Sequence, residues 1–195
     1  MSKILIFLVV LFLLVGCSTK DIKPFDIYTL SDSSKVDQSL HIEKVLKITK
    51  IKSSAYMYSD KIWYKESSVK IDSYFYSKWN SPFTVMIEQN LLNSISRSGL
   101  FKSTYARYSK VRSDLTLESE MIEAVQDVQK GTVKFGIRVY LVNQKSSNLI
   151  SSKEFIYEEK CSSIDAKGAV KAYENITKKL NKDVILWLSK SMKKD

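Results

Sequence analysis

From Val133 onward an apolar residue occupies every second position: Val133, Phe135, Ile137, Val139 and Leu141 take one side, and Lys134, Gly136, Arg138, Tyr140 and Val142 take the other. A period of two specifies a strand, and a strand with one buried face needs a cover. The cover follows in the same chain. After Asp165, which can accept from the free amides of a helix start, the period changes. Ala169, Ala172, Tyr173, Ile176, Leu180, Val184 and Trp187 now fall on one stripe of a long amphipathic helix.

Upstream of Val133 the same logic repeats. Leu115, Leu117, Ser119 and Met121 share one side and Thr116, Glu118, Glu120 and Ile122 the other, with a turn at Gln129-Lys130-Gly131-Thr132. Asn143 to Asn148 turns the chain into a last strand ending near Cys161, so these three strands are predicted to form an antiparallel meander. A shorter helix begins at Ser81-Pro82, read as serine cap and first-turn proline, and buries Phe83, Ile87, Leu91 and Ile95. Arg97 in its last turn and Gly99 just beyond end it. Nearer the N-terminus, Phe25 to Leu30 reads as a strand, 31–39 as a loop, and Leu40 to Ile51 as a strand whose alternation slips around Glu43-Lys44, the mark of a bulge. Ile62 to Lys65 and Val69 to Tyr76 read as paired strands, with Val69, Ile71 and Phe75 on a common face. Together these predict an α+β fold, an antiparallel sheet with two amphipathic helices packed on one face, in a single domain over 25–195.

The first residues follow a different rule. Lys3 precedes an apolar run from Ile4 to Val15 that is too short to span a bilayer, since about 20 residues are needed. Leu14-Val15-Gly16-Cys17 then resembles a lipobox, in which small Gly16 fits a peptidase pocket and the Cys17 thiol takes the lipid. The expectation is a signal peptide over 1–16, a lipidated tether over 17–24 and palmitate-type acyl chains on Cys17. The seven residues 18–24 reach about 23 Å at most when extended, which keeps the body near the membrane. Ser18 stands where an inner-membrane retention signal usually has Asp, so the outer membrane is the expected destination.

The chain has 31 basic against 21 acidic residues, a net charge of +10. Export removes nucleic acid as a partner and leaves anionic headgroups, an acidic protein face or solubility as explanations. With Cys17 acylated, Cys161 has no internal disulfide partner and reads as a partly buried small hydrophobe. His41, the only histidine, stands at a strand start and reads as exposed rather than as a general base. No spacing suits a metal, a phosphate loop or a nucleophile elbow, so neither an enzyme nor a cofactor is expected. Tyr74-Phe75-Tyr76 with Trp79 is richer in aromatics than a small sheet requires. Tyr76 and Trp79 are the candidate partner-binding residues, with the alternative that Trp79 packs beneath the helix beginning at Pro82.

The lipobox, the early Tyr28-Thr29-Leu30 strand, Tyr76-Ser77-Lys78-Trp79-Asn80-Ser81-Pro82, the helix ending Ser98-Gly99-Leu100-Phe101, the meander and a terminal helix bearing Trp187 occur in one order. That order resembles the ABC-type transport auxiliary lipoproteins, the paraquat-inducible PqiC-like family, over nearly the whole mature chain. The resemblance implies a non-enzymatic component of a lipid transport system, facing the periplasm from the outer membrane. Its implied partners are an MCE-domain protein and an ABC permease and ATPase, and homo-oligomerisation stays open. Two other readings are a structural lipoprotein of outer-membrane assembly and a carrier that itself holds a lipid.

Overall fold

The computed structural model describes residues 24–31 and 40–193. Cys17, the segment 1–16 and residues 32–39 of the expected loop lie outside them. The described elements are β1 (Asp26–Tyr28), β2 (Ile42–Ile48), a 3-10 turn (Ala55–Tyr58), β3 (Lys61–Lys65), β4 (Ile71–Trp79), α1 (Phe83–Arg97), β5 (Phe101–Ala106), β6 (Leu115–Asp127), β7 (Thr132–Asn143), β8 (Leu149–Lys160) and α2 (Ala166–Ser191).

The long strand β6 organises the sheet. Along one edge it pairs antiparallel with β7, from Leu115 opposite Asn143 to Asp127 opposite Thr132. β8 completes the meander antiparallel to β7, with Phe155 opposite Ile137. The other edge of β6 is shared. β2 runs parallel to its first residues, Leu46 opposite Leu115, Lys52 bridges to Glu120, and β3 runs parallel to its end, Tyr64 opposite Gln126. β5 extends the first arm, parallel to β2. β4 and then β1 extend the second, antiparallel to β3 and parallel to β4 respectively.

The α+β class is as expected, but the sheet is mixed, not antiparallel throughout. The meander and the β3–β4 hairpin are antiparallel because short turns join them. The chain between β2 and β5 instead carries the hairpin and α1, a crossover long enough to bring β5 back in the same direction. The expected slip near Glu43-Lys44 is present as a register shift between Ile42 and Val45.

Both helices cover one face. Val133, Phe135, Ile137, Val139 and Leu141 are buried beneath them, together with Phe83, Ile87, Leu91 and Ile95 of α1 and the α2 stripe from Ala169 to Trp187. β6 keeps its inward set across a register shift between Met121 and Glu123, after which Ala124 joins the core cluster while Val125, also buried, lies outside it. α1 ends as its sequence indicates, with Gly99 at φ +66°. Its start differs: Pro82 is the extended cap residue at φ −51°, ψ 134°, and no side chain caps the helix. The Ser81 hydroxyl turns to Asn80 Oδ1 instead.

Asp165 does cap α2, its carboxylate accepting from the Gly168 amide at 2.7 Å. This tight entry requires glycine at 168, because a Cβ there would lie 2.0 Å from the Ser163 carbonyl oxygen and 2.7 Å from its nitrogen. Both are backbone atoms and cannot rotate away. Gly168→Ala is therefore expected to destabilise the domain by about 1–3 kcal/mol through overpacking, although alanine is otherwise the better helix former. Chemical denaturation reads this as a lower midpoint at unchanged slope; an unchanged midpoint would show that the turn relaxes freely.

Candidate functional site

The second arm of the sheet ends in an irregular strand. β1 pairs Asp26 with Ser77 and Tyr28 with Trp79. On the other side of β4, Trp63 faces Ser73 but Lys61 faces Lys78, so Ile62 alone stands opposite residues 74–77. A bulge of this kind bends the strand and re-aims its side chains. In a regular β4, alternation would put Phe75 on the inward side with Trp79. Instead Phe75 is 74 % exposed and Tyr76 is 44 % exposed.

Two residues of the incoming chain join them. Phe25 is 52 % exposed and Ile27 is 61 % exposed. The Phe25 ring centroid lies 6.4 Å from those of Phe75 and Tyr76, and Phe75 meets Tyr76 edge-on at 4.8 Å. The Lys78 ammonium lies 5.8 Å from the centre of the Phe25 ring. The result is an aromatic edge beside the first described residues of the chain.

Beneath this edge the side chains are fixed. The Tyr74 hydroxyl donates to Gln126 Oε1 at 2.5 Å, and burial pushes its pKa up to about 12. Gln126 Nε2 donates in turn to Cys161 Sγ at 3.3 Å. Cys161 is a free, half-buried thiol whose pKa is raised first by burial. A thiol held protonated is a poor nucleophile.

Of the two aromatic candidates, the structure separates one from the other. Tyr76 lies on the exposed edge, whereas Trp79 is only 2 % exposed. Trp79 packs on Phe83 at 5.2 Å and on Tyr173 at 5.7 Å, and Phe83 meets Tyr173 at 4.8 Å. Of the two readings given for Trp79, the structure shows the packing beneath the start of α1, and its ring is turned away from the surface. The expected common face of Val69, Ile71 and Phe75 is not buried either; all three are exposed. Phe25 and Ile27 were not anticipated as surface-site residues. Their one sequence signal was position, immediately after the polar tether.

A cleft of about 390 Å³ adjoins the edge, bounded by Asp26, Tyr28, Tyr74, Tyr76 and the start of α2 at Asp165 and Lys167. The Asp165 carboxyl is held below its ordinary range chiefly by the Gly168 amide and next by the Ser163 hydroxyl. That carboxylate is occupied in capping. His41 lies at the far arm, with Nδ1 3.0 Å from the Gly99 carbonyl oxygen and Nε2 3.1 Å from Glu43. Among the described residues no group of His, Cys, Asp and Glu could hold a metal ion.

Among the described residues the space between the helices and the sheet is narrow at the aromatic cluster. A gap of about 10 Å³ between Met57, Trp79, Phe83, Ala124 and Tyr173 is at the limit for a single water. A wider groove of about 630 Å³ is open to solvent and is lined by Lys50, Lys52, Glu118 and Glu120 as well as Tyr140, Val142 and Leu149.

The family model for the ABC-type transport auxiliary lipoprotein component matches residues 28–185. No curated protein matches the sequence. The fold is similar to that of protein XCC0632 from Xanthomonas campestris, assigned to DUF330, at a TM-score of 0.79 and 16 % identity, covering 87 % of this chain and 98 % of that one. A second solved structure, of an uncharacterized protein, is similar at a TM-score of 0.68 and 17 % identity, covering 85 % of this chain and 99 % of that one. At such identities the likeness is one of fold.

Proposed function

The chain belongs to the ABC-type transport auxiliary lipoprotein component family, and from that membership we propose that it is the non-enzymatic, membrane-anchored docking component of an ABC/MCE-type lipid transport system. An auxiliary role in transport comes with the family. The proposal adds the outer membrane as the site of anchoring through Cys17, and an MCE-domain protein with an ABC permease and ATPase as the partners.

The observation that carries this reading is the filled interior beside a built surface. A carrier needs an enclosed apolar cavity of several hundred Å³; among the described residues the gap against Trp79, Phe83 and Tyr173 is about 10 Å³, and the groove of about 630 Å³ is open to solvent with Lys50, Lys52, Glu118 and Glu120 among its lining residues. What the fold presents instead is the aromatic edge of Phe25, Phe75 and Tyr76. Large exposed apolar patches on soluble domains mark contact surfaces. The lipid path would then run through the assembled system, with this chain placing it against the membrane.

The test is purification of the acylated protein from its own membranes under gentle conditions, followed by native mass spectrometry. The expected result is co-purification of an MCE-domain protein with ABC components, and no stoichiometric phospholipid on the chain by itself. One tightly held lipid per protomer would instead make it a carrier. Recovery with outer-membrane assembly proteins in place of transporter components would make it a structural lipoprotein.

A further inference from the structure

We infer that the aromatic edge formed by Phe25, Ile27, Phe75 and Tyr76 is the surface on which the protein rests against the lipid leaflet that holds its acyl chains. This rests on the reading of Cys17 as the acylated residue, and it assigns an orientation that the anchor by itself does not give.

The first support is reach. Phe25 lies eight residues beyond Cys17, a span of about 29 Å at most when fully extended. A compact domain of this length is roughly 40 Å across. The connection is therefore shorter than the body is wide, so the body cannot turn freely to present its opposite side. The edge where the chain enters, β1 against the end of β4, is held closest to the leaflet.

The second support is that the fold has turned these residues outward. β4 would bury Phe75 if it were regular, and the bulge at 74–77 sends it to solvent. β1 adds Phe25 and Ile27 to the same patch. None of the four is needed by the core, whose aromatic cluster of Trp79, Phe83 and Tyr173 lies inside.

The third support is chemical type. Phenylalanine and isoleucine gain by leaving water, while tyrosine carries an apolar ring with a polar tip suited to the headgroup level. Lys78 stands over the Phe25 ring at 5.8 Å, its ammonium 3.4 Å from the Asp60 carboxylate, so that its apolar stem rather than a free charge adds to the patch. Without Lys3, which leaves with residues 1–16, the net charge of +10 becomes about +9, and that excess favours an anionic surface in the same sense. A protein partner would fit the aromatic residues equally well, but it would have to reach an edge that the short tether presses toward lipid.

The experiment uses the full acylated protein reconstituted into vesicles of phosphatidylethanolamine and phosphatidylglycerol, with or without acyl-brominated lipid. Phe75→Trp places an exposed indole beside the three native tryptophans, and the unaltered protein supplies their background. The added emission is expected to shift to the blue on vesicles and to be quenched by brominated chains, with the native emission little changed. Added emission that stays at its aqueous wavelength and unquenched, on protein carrying label from a fatty acid at Cys17, would overturn the leaflet contact and leave the anchor standing. Absence of that label would overturn the anchor and the contact with it. A shift appearing only when an MCE-domain protein is added would assign the edge to that protein and overturn the proposal.

Discussion

Replacing Trp79 with alanine is expected to destabilise the domain by about 3–5 kcal/mol, the cost of removing a buried large aromatic. For a domain of this size that lowers Tm by roughly 6–20 °C. The residue joins four elements: it ends β4, faces Tyr28 of β1, packs on Phe83 at the start of α1 and meets α2. Tyr173 of α2 closes over it at 5.7 Å. Collapse around the cavity would require all of them to shift, and the neighbouring gap is already too small to have absorbed any slack. Tyr76→Ala, three residues earlier in the chain, is expected to stay within about 0.5 kcal/mol as a surface change. Thermal melting of the two variants separates the roles. An unchanged melt for Trp79→Ala would place its ring outside the core.

Cys17→Ala is expected to leave a precursor that is neither cut nor acylated, or a released protein, with loss of transport. Each buried methylene of an acyl chain contributes roughly 0.8 kcal/mol, and two or more chains hold stably. No helix among the described residues is long and apolar enough to cross a membrane. The aromatic edge cannot substitute for acyl chains, because a few side chains at the headgroup level give only reversible contact. Metabolic labelling with palmitate followed by membrane fractionation makes the measurement. Label persisting on the Cys17→Ala protein would remove Cys17 as the acylation site.

The elements that sequence made plain are those in which one period runs long over one buried face. The alternation at Val133 to Leu141 and the stripe from Ala169 to Trp187 are buried as read, since each pattern admits only one orientation against a core. The parallel pairings were not legible because alternation is the same in either direction; what sets direction is the length of the connection, and that emerges only when distant strands are matched. β5 was missed for a related reason: Phe101 is its one buried residue, so little periodicity marks it. The exposed site was hidden by the bulge. Phe75 and Trp79 are spaced to share a face, and only the extra residues opposite Ile62 part them. Tyr76, read as a candidate contact residue from its chemistry, lies on the exposed edge; Trp79, with the same chemistry, is buried against Phe83 and Tyr173.

The divided edge of β6 also dictates the order in which this molecule can be made. Leu46 has no sheet neighbour at Leu115, and Tyr64 none at Gln126, until the middle of the chain has been delivered. Contacts so distant in sequence form late, because the intervening loop must close before they return any energy. The ribosome releases the N-terminal half first, as the proposed export route would, so that half spends its early life with Ile48, Ile62 and Trp79 wet. Along the proposed export route this delay is useful: a chain whose central strand arrives late stays threadable while it crosses. On that route the unfinished half would be a natural client for periplasmic chaperones, which would have to hold it until β6 arrives to join the two arms.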